Sequence, residues 1–307
     1  MVASRPAASP DWPRITLVTP VLNGARHLEA AITSVLGQGY PNLEYIIVDG
    51  GSHDGTLDLI RRQERRLAWW VSEPDGGMYD ALNKGYARSS GEVMGWLSST
   101  DLLHSGALFV VGGVFRDLRE VEWLTAIPTA LSEEGMTVGV GPLRRWTRPR
   151  FLLGANRYVQ QESTFWRRRL WDRAGGRMDD SRTMAGDFEL WLRFFRHARL
   201  HPVRALVGGF RHHADSLWLQ NRSECSRICD EALRRELVRD DTGALLRSLG
   251  RTALRLHVLP GLGSAWQLVV GRLLHVLPGP DRPPVVWHDG TRWVTRSPRS
   301  RDDDRAR

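Results

Sequence analysis

Apolar residues along this chain arrive in short bursts that alternate between two periods. Ile15-Thr16-Leu17-Val18-Thr19 and Tyr45-Ile46-Ile47-Val48 are β-rich runs, the first stopping at Pro20, while His27 to Leu36 sets Leu28, Ala31, Ile32 and Val35 at helical spacing. The pattern then predicts a helix from Leu57 to Leu67, a short strand from Ala68 to Ser72, a helix from Asp80 to Arg88, and a strand from Gly91 to Leu97 that runs into Ser98-Ser99-Thr100-Asp101. Strand and helix in alternation predict a parallel sheet, and in such sheets ligands gather outside the carboxyl ends of the strands. Further on come an apolar helix from Ser105 to Leu118, a strand from Val121 to Ile127, and a Gly- and Arg-rich connection from Gly135 to Arg150. Gln160 to Trp166 reads as a strand or turn, Arg168 to Ala174 and Asp187 to His197 as helices, and Leu206 to Phe210 as one more short strand. Past residue 220 only helices are predicted, Glu224 to Asp240, Ala244 to Leu256, and Val258 to Leu277 interrupted by Pro260, Gly261, Gly263 and Gly271. From Pro278 the chain is rich in Pro, Arg and Asp, which predicts a frayed end.

Composition adds limits. At 307 residues, 41% hydrophobic and 25% charged, the chain is globular rather than disordered. Met1 to Trp12 has no apolar run of signal-peptide length and reads as a loose tail, and no stretch is apolar enough to suggest a spanning helix. Cys225 and Cys229, the only cysteines, are neighbours on one helix face, a poor geometry for a disulfide and too few ligands for zinc; the expectation is a reduced, cytoplasmic protein. Residues 1–140 carry 11 basic and 17 acidic side chains, and residues 141–307 carry 32 and 18, so the second half is strongly positive. Because every basic residue except Lys84 is Arg and no nucleic-acid reader motif accompanies the charge, no nucleic acid is expected as a partner.

Two segments bear the chemistry. In Val48-Asp49-Gly50-Gly51-Ser52-His53-Asp54-Gly55-Thr56, a strand ends at a carboxylate, glycines let the backbone turn, and Asp54 with Thr56 is placed to cap the next helix. A phosphate loop would carry Lys and keep carboxylates away, so Asp49 suits the neutral end of a nucleotide, where N–H and O–H groups need acceptors. An ordinary βα turn with a capping Asp reads from the same residues. The second segment, Glu73 to Gly85, packs Asp75, Asp80, Asn83 and Lys84 at a loop-to-helix junction, where helix-start polarity is the plainer alternative.

Ile15 to Asn23, the Val-Asp-Gly-Gly-Ser-x-Asp-Gly-Thr run, Glu73 to Gly85, Gly91 to Asp101, Gln160 to Gly176 and Ala185 to Arg193 together resemble the family 2 glycosyltransferases, in the subgroup that builds bacterial surface polysaccharides. The resemblance covers roughly residues 13–215. It implies an α/β fold: a single GT-A nucleotide-binding domain over residues 13–220, with a mostly parallel mixed sheet flanked by helices. Around it stand a flexible tail (1–12), a C-terminal helical extension (221–277) and a disordered tail (278–307).

The resemblance also implies roles. Asp49 would contact the base, with Pro20, Asn23, Gly51, Asp75, Asp80, Asn83, Lys84 and Thr100 around the nucleotide-sugar. The family's metal motif usually holds two acids where this chain has Ser98-Ser99-Thr100-Asp101, so Asp101, with His213, would hold a divalent cation, Mg²⁺ or Mn²⁺, while Thr100 offers a hydroxyl to the sugar. Asp187, in Ala185-Gly186-Asp187-Phe188-Glu189-Leu190, would be the base of an inverting transfer; Gly186 replaces a common Glu, and Glu189 points to another face. A helix-capping Asp is the plainer reading of both Asp101 and Asp187. Gln161, Glu162 and Arg211 would lie on the acceptor or diphosphate side. Phe165, Trp166, Trp171, Trp191 and Phe194 have the helical spacing of core rather than of a sugar platform.

Expected partners are thus a nucleotide-sugar donor and a glycan or lipid-linked glycan acceptor. Leu254 to Leu277 mixes apolar residues with Arg255, His257, Arg272 and His275, which suits peripheral contact with an anionic membrane and equally suits packing on the catalytic domain or a second subunit. A binding or scaffold protein that has lost turnover is the alternative that Thr100 and Gly186 suggest.

Overall fold

The first hundred residues fold as their alternation reads. In the structure, a computed structural model that describes residues 12–154, 158–213, 220–239, 243–257 and 283–296, four strands lie parallel. They are β1 (Ile15–Val21), β2 (Leu43–Asp49), β3 (Trp69–Ser72) and β4 (Val93–Trp96), in the order β3-β2-β1-β4. Helices α1 (Leu28–Leu36), α2 (Thr56–Gln63) and α3 (Met78–Ala87) make the crossovers. Successive strand residues face opposite sides, so Val18, Ile46 and Val48 enter the core under α3, whereas Leu17, Tyr45 and Ile47 enter the core under α1 and α2. With helices on both faces, β1 is buried at all seven positions.

Chain direction reverses at β1: the chain steps outward to β2 and β3, then returns to lay β4 on the other side. The carboxyl ends of β1 and β4 therefore flank a crevice, the place where sheets of this kind receive ligands. Pro20 fits inside β1 because pairing with β4 stops at Val18, so no partner strand on that side asks for its missing N–H.

Beyond β4 the sheet is mixed. After β5 (Leu102–Leu103) and α4 (Ala107–Asp117) come β6 (Trp123–Leu131), β7 (Thr137–Val140), α5 (Arg148–Leu152), β8 (Thr164–Arg167), α6 (Arg168–Arg173), α7 (Gly186–His197) and β9 (Leu200–Arg211). The order continues β4-β8-β6-β9; β8 runs antiparallel to both neighbours, and β6 and β9 run parallel. Here Trp96, Trp123, Trp166 and Trp191 interlock with ring centroids 5.5 to 5.9 Å apart. Trp171 and Phe194 are buried with them, while Phe165, on strand β8, is buried in the core on the other face of the sheet.

Three expectations change. The connection from 135 to 150 holds β7 and the start of α5 rather than loop alone. The last core strand is more than twice as long as read, starting at Leu200; Pro202 sits where the β6–β9 register shifts, an irregularity that tolerates it. Inside the tail expected to be disordered, β10 (Val285–His288) and β11 (Trp293–Arg296) form a hairpin on the edge of β9. Asp289 accepts from the backbone of Thr291 and Arg292 in its turn, and the Trp293 amide donates to Asp117 at 2.9 Å.

The C-terminal helices, α8 (Arg222–Leu237) and α9 (Ala244–His257), pack on the sheet and its helices: Ile228, Ala232, Leu233, Leu237 and Leu254 join the core that holds α7. Glu236, buried on α8, takes Arg196 of α7 and Arg148 of α5. Residues 258–277, read as the other half of a membrane-facing pair, lie outside the described residues, as do the ends at 1–11 and 297–307. Among the described residues no helix is long and apolar enough to cross a membrane.

Candidate active site

The β2 turn is built around a buried carboxylate. Asp49, with no solvent exposure, accepts the Ser52 hydroxyl on Oδ1, and on Oδ2 the Ser52 amide at 3.1 Å and the Ser72 hydroxyl at 2.6 Å. The loop after β1 is stitched to this turn. Asn23, at φ +50°, donates its amide to Ser52 Oγ and accepts the His53 amide at 3.1 Å, while Ala25 N–H reaches Asp54. Asp54 also accepts the Thr56 amide at the start of α2, the capping role read from the sequence. Gly51, at φ +86°, needs glycine and lies against the Glu73–Pro74 backbone. Pro20, Asn23, Asp49 and Gly51 thus converge on one rim of the crevice.

The Glu73–Gly85 segment forms the next wall. Asp75 accepts the Gly77 amide at 2.8 Å and lies beside Gly50, where a Cβ would come within 3.0 Å of its Oδ2. Asp80 accepts the Gly76 amide, and Lys84 ties the loop by reaching Glu73 at 2.9 Å and Asp80 at 3.5 Å. Asn83 has a different task from the one expected. Its amide pairs with both backbone groups of Met178, at 2.8 and 3.1 Å, and docks α3 on the loop that precedes α7.

Three carboxyl groups, on Asp101, Glu162 and Asp187, lie close enough to act on one another. Asp101, 3% exposed, accepts the Arg211 amide at 2.9 Å; burial pushes its pKa up to about 7 against the pull of Arg211 and of the Ser98 hydroxyl. Glu162 is buried and held by Gln160, and burial together with the charges of Asp101 and Asp187 drives its pKa well above the usual carboxylate range. Asp187, second residue of α7, is also raised by burial, partly offset by the Phe188 and Asp187 amides. Tyr158, which sequence reasoning missed, is half exposed, and its phenol is raised by desolvation of the ring's inner side and by the charges of Glu162, Asp101 and Asp187. Glu189 is bound to Arg193, so it cannot stand in for Asp187.

Arg211 is itself buried, with Nε on the Thr100 carbonyl at 2.5 Å and Nη1 on the Glu133 carbonyl. It therefore braces the Thr100–Asp101 turn from below. Gln161 donates to the Trp96 carbonyl at 2.5 Å, which leaves Glu162 as the member of that pair facing the acids. His213 lies 5.6 Å, ring to ring, from His27, a residue read from the sequence only as the start of a helix; burial, Arg211, His213 and Arg26 hold the His27 pKa low. No set of three His, Cys, Asp or Glu side chains among the described residues is close enough to hold a metal alone. The donor set fits a cation held jointly, with Asp101 supplying one carboxylate oxygen and a bound diphosphate and water the rest.

With this geometry in view, residues 16–111 match the family model described as glycosyl transferase family 2. That stretch holds β1 to β4 with Asp49, the Glu73–Gly85 segment and Asp101. Over that stretch the chain is similar to the family 2 glycosyltransferases. An uncharacterized glycosyltransferase of Mycobacterium tuberculosis is 39% identical over 90 residues, 29% of this chain and 34% of the relative, so the chain spans about a third of that protein. The fold is that of solved glycosyltransferases. Staphylococcus aureus TarS 1-349, in complex with UDP-GlcNAc, superposes with a TM-score of 0.63 at 14% identity, over 86% of this chain and 76% of that one. A mannosyltransferase of Pyrobaculum calidifontis, in complex with GDP-Man and Mn²⁺, gives 0.58 at 18% identity, over 88% and 77%.

Proposed function

We propose that this protein is an inverting glycosyltransferase that moves a sugar from a nucleotide-sugar donor to a hydroxyl of a polysaccharide or lipid-linked glycan acceptor in cell-surface polysaccharide synthesis. One observation carries the reading: the buried carboxylates of Asp49 and Asp101 stand at opposite sides of the β1/β4 crevice, with Asp187 electrostatically linked to the Asp101 end through Glu162. The nucleoside lies at Asp49 and the rim of Pro20, Asn23 and Gly51, with Asp75, Asp80 and Lys84 along its side. Asp187 accepts the proton of the acceptor hydroxyl, whose oxygen forms the new bond to the anomeric carbon as the bond to the diphosphate oxygen breaks on the opposite face. Burial favours this role, because a carboxylate whose pKa is raised is a stronger base.

A divalent cation, when bound at Asp101 with His213 nearby, neutralises the charge that develops on the departing diphosphate. Thr100, held through its carbonyl by Arg211, presents its hydroxyl toward the sugar. Cys225 and Cys229 are not joined in a disulfide, which fits a reducing cytoplasmic setting. The likeness to TarS with UDP-GlcNAc and to the mannosyltransferase with GDP-Man and Mn²⁺ supports the donor class and the metal.

The test is thermal-shift screening against UDP-, GDP- and dTDP-sugars with Mg²⁺ or Mn²⁺, followed by donor hydrolysis and transfer assays. Stabilisation by one donor together with turnover is expected. Donor binding without turnover toward any acceptor would instead favour a glycosyltransferase-like scaffold, and no donor binding would refute both.

A further inference from the structure

Helix α7 begins without the usual device for starting a helix. The first amides of any helix lack intrahelical partners, and a Ser, Thr, Asp or Asn side chain at the N-cap normally accepts one of them. Here the N-cap is Ala185, which has no side-chain acceptor and sits at φ +59°, a conformation an alanine seldom adopts. Its neighbour Asp187 is the proposed base, so an uncapped, strained turn would leave that carboxylate poorly placed.

The missing acceptor comes from another helix. Tyr79, on α3 and 3% exposed, puts its hydroxyl 2.8 Å from the Gly186 amide, and the Asp187 amide also bears on it. Gly186 is what lets the ring approach: a Cβ there would lie 2.7 to 2.9 Å from three ring carbons of Tyr79. The position where the family commonly has an acid is thus sterically reserved for the phenol. Four residues along α3, Asn83 clamps the Met178 backbone just upstream of α7, so one helix face fixes the segment at two points.

We infer that Tyr79 is a positioning residue that caps α7 in trans and thereby orients Asp187 for proton abstraction. The inference rests on the reading of Asp187 as the base. The phenol oxygen takes the Gly186 amide, so the carboxylate answers only the Phe188 and Asp187 amides.

Tyr79→Phe removes only the acceptor, and Gly186→Ala displaces the ring from the other side. Tyr86→Phe is the control: its hydroxyl, on the same helix and equally buried, has no hydrogen-bond partner. Steady-state kinetics should show kcat at least tenfold lower in Tyr79→Phe and Gly186→Ala, with donor KM within about twofold of wild type, and Tyr86→Phe unchanged. In Tyr79→Phe the carboxyl pKa of Asp187, followed by carbon-13 NMR, should fall, because released amides turn to the carboxylate; this readout needs no turnover. Full kcat in Tyr79→Phe, or an unmoved Asp187 titration, overturns the inference. Asp187→Asn separates the two ideas. If it abolishes transfer while Tyr79→Phe is silent, only the positioning role fails; if its turnover is unchanged, the base assignment itself fails.

Discussion

Replacing Asp187 by Asn keeps the shape of the side chain and removes both its charge and its basicity. Burial raises the pKa of the carboxylate, and only the Phe188 and Asp187 amides offset that cost. A positioned general base contributes about 10²- to 10⁴-fold in rate, so kcat should fall by that factor, on the order of 3 to 5 kcal/mol of transition-state stabilisation at 1.36 kcal/mol per tenfold. Stability should move the other way. A carboxyl whose folded pKa exceeds its unfolded value stabilises the fold fully only below the unfolded pKa, and that contribution is lost as pH rises through the folded value. The Asn variant has no such loss, so its melting temperature should match wild type at about pH 3, below the unfolded value, and exceed it at neutral pH. Transfer assays alongside thermal melts across that range decide the matter. A variant that turns over normally, or that melts lower than wild type at every pH, would show that Asp187 is a structural cap and refute the reasoning.

Glu44 behaves oppositely: burial pushes its pKa up, but hydrogen bonds from Thr16 and Ser90 and the charge of Arg14 outweigh it and hold it low. Its stabilisation is therefore present above the unfolded pKa and lost as pH falls through the folded one, so Glu44→Gln should cost about 1–3 kcal/mol at pH 7 and flatten the acid limb of stability, measured by urea titration. Glu236→Ala strips the buried partner from Arg148 and Arg196; a loss of about 3–5 kcal/mol and early proteolytic release of α8 are expected, and unchanged melting would contradict the docking described. Asp101→Asn should abolish the extra thermal shift that Mn²⁺ gives in the presence of a nucleoside diphosphate. In wild type that shift should grow between pH 6 and 8, as the carboxyl with a pKa of about 7 gives up its proton.

Legibility followed the range of the interactions. Strands β1 to β4 and their helices were readable because each hydrophobic period reports a local burial pattern, and the carboxylates that end strands fell at one sheet edge by topology alone. Long-range partners left no such trace. Asn83 reads as helix-start polarity and meets Met178, 95 residues away. Tyr79 reads as one more buried aromatic, yet its hydroxyl serves Gly186, 107 residues on. Tyr158 had no motif around it. The β10–β11 hairpin did carry a local signal, an Asp-Gly turn between Val-Val-Trp and Trp-Val-Thr, and was hidden by the Pro- and Arg-rich residues on either side.

If the proposed donor site holds, the hydroxyls of Ser52 and Ser72 on Asp49 bear on how a nucleobase would be chosen. An arriving base trades its own N–H for one of these hydroxyls, so the gain in hydrogen-bond energy is close to nil and attraction to Asp49 adds little to affinity. The exchange is still discriminating. A base that presents a lone pair at this point evicts a donor and supplies none, stranding an anion against an acceptor in a dry pocket. Rejection of the wrong base, rather than grip on the right one, is then what Asp49 would contribute to the proposed site.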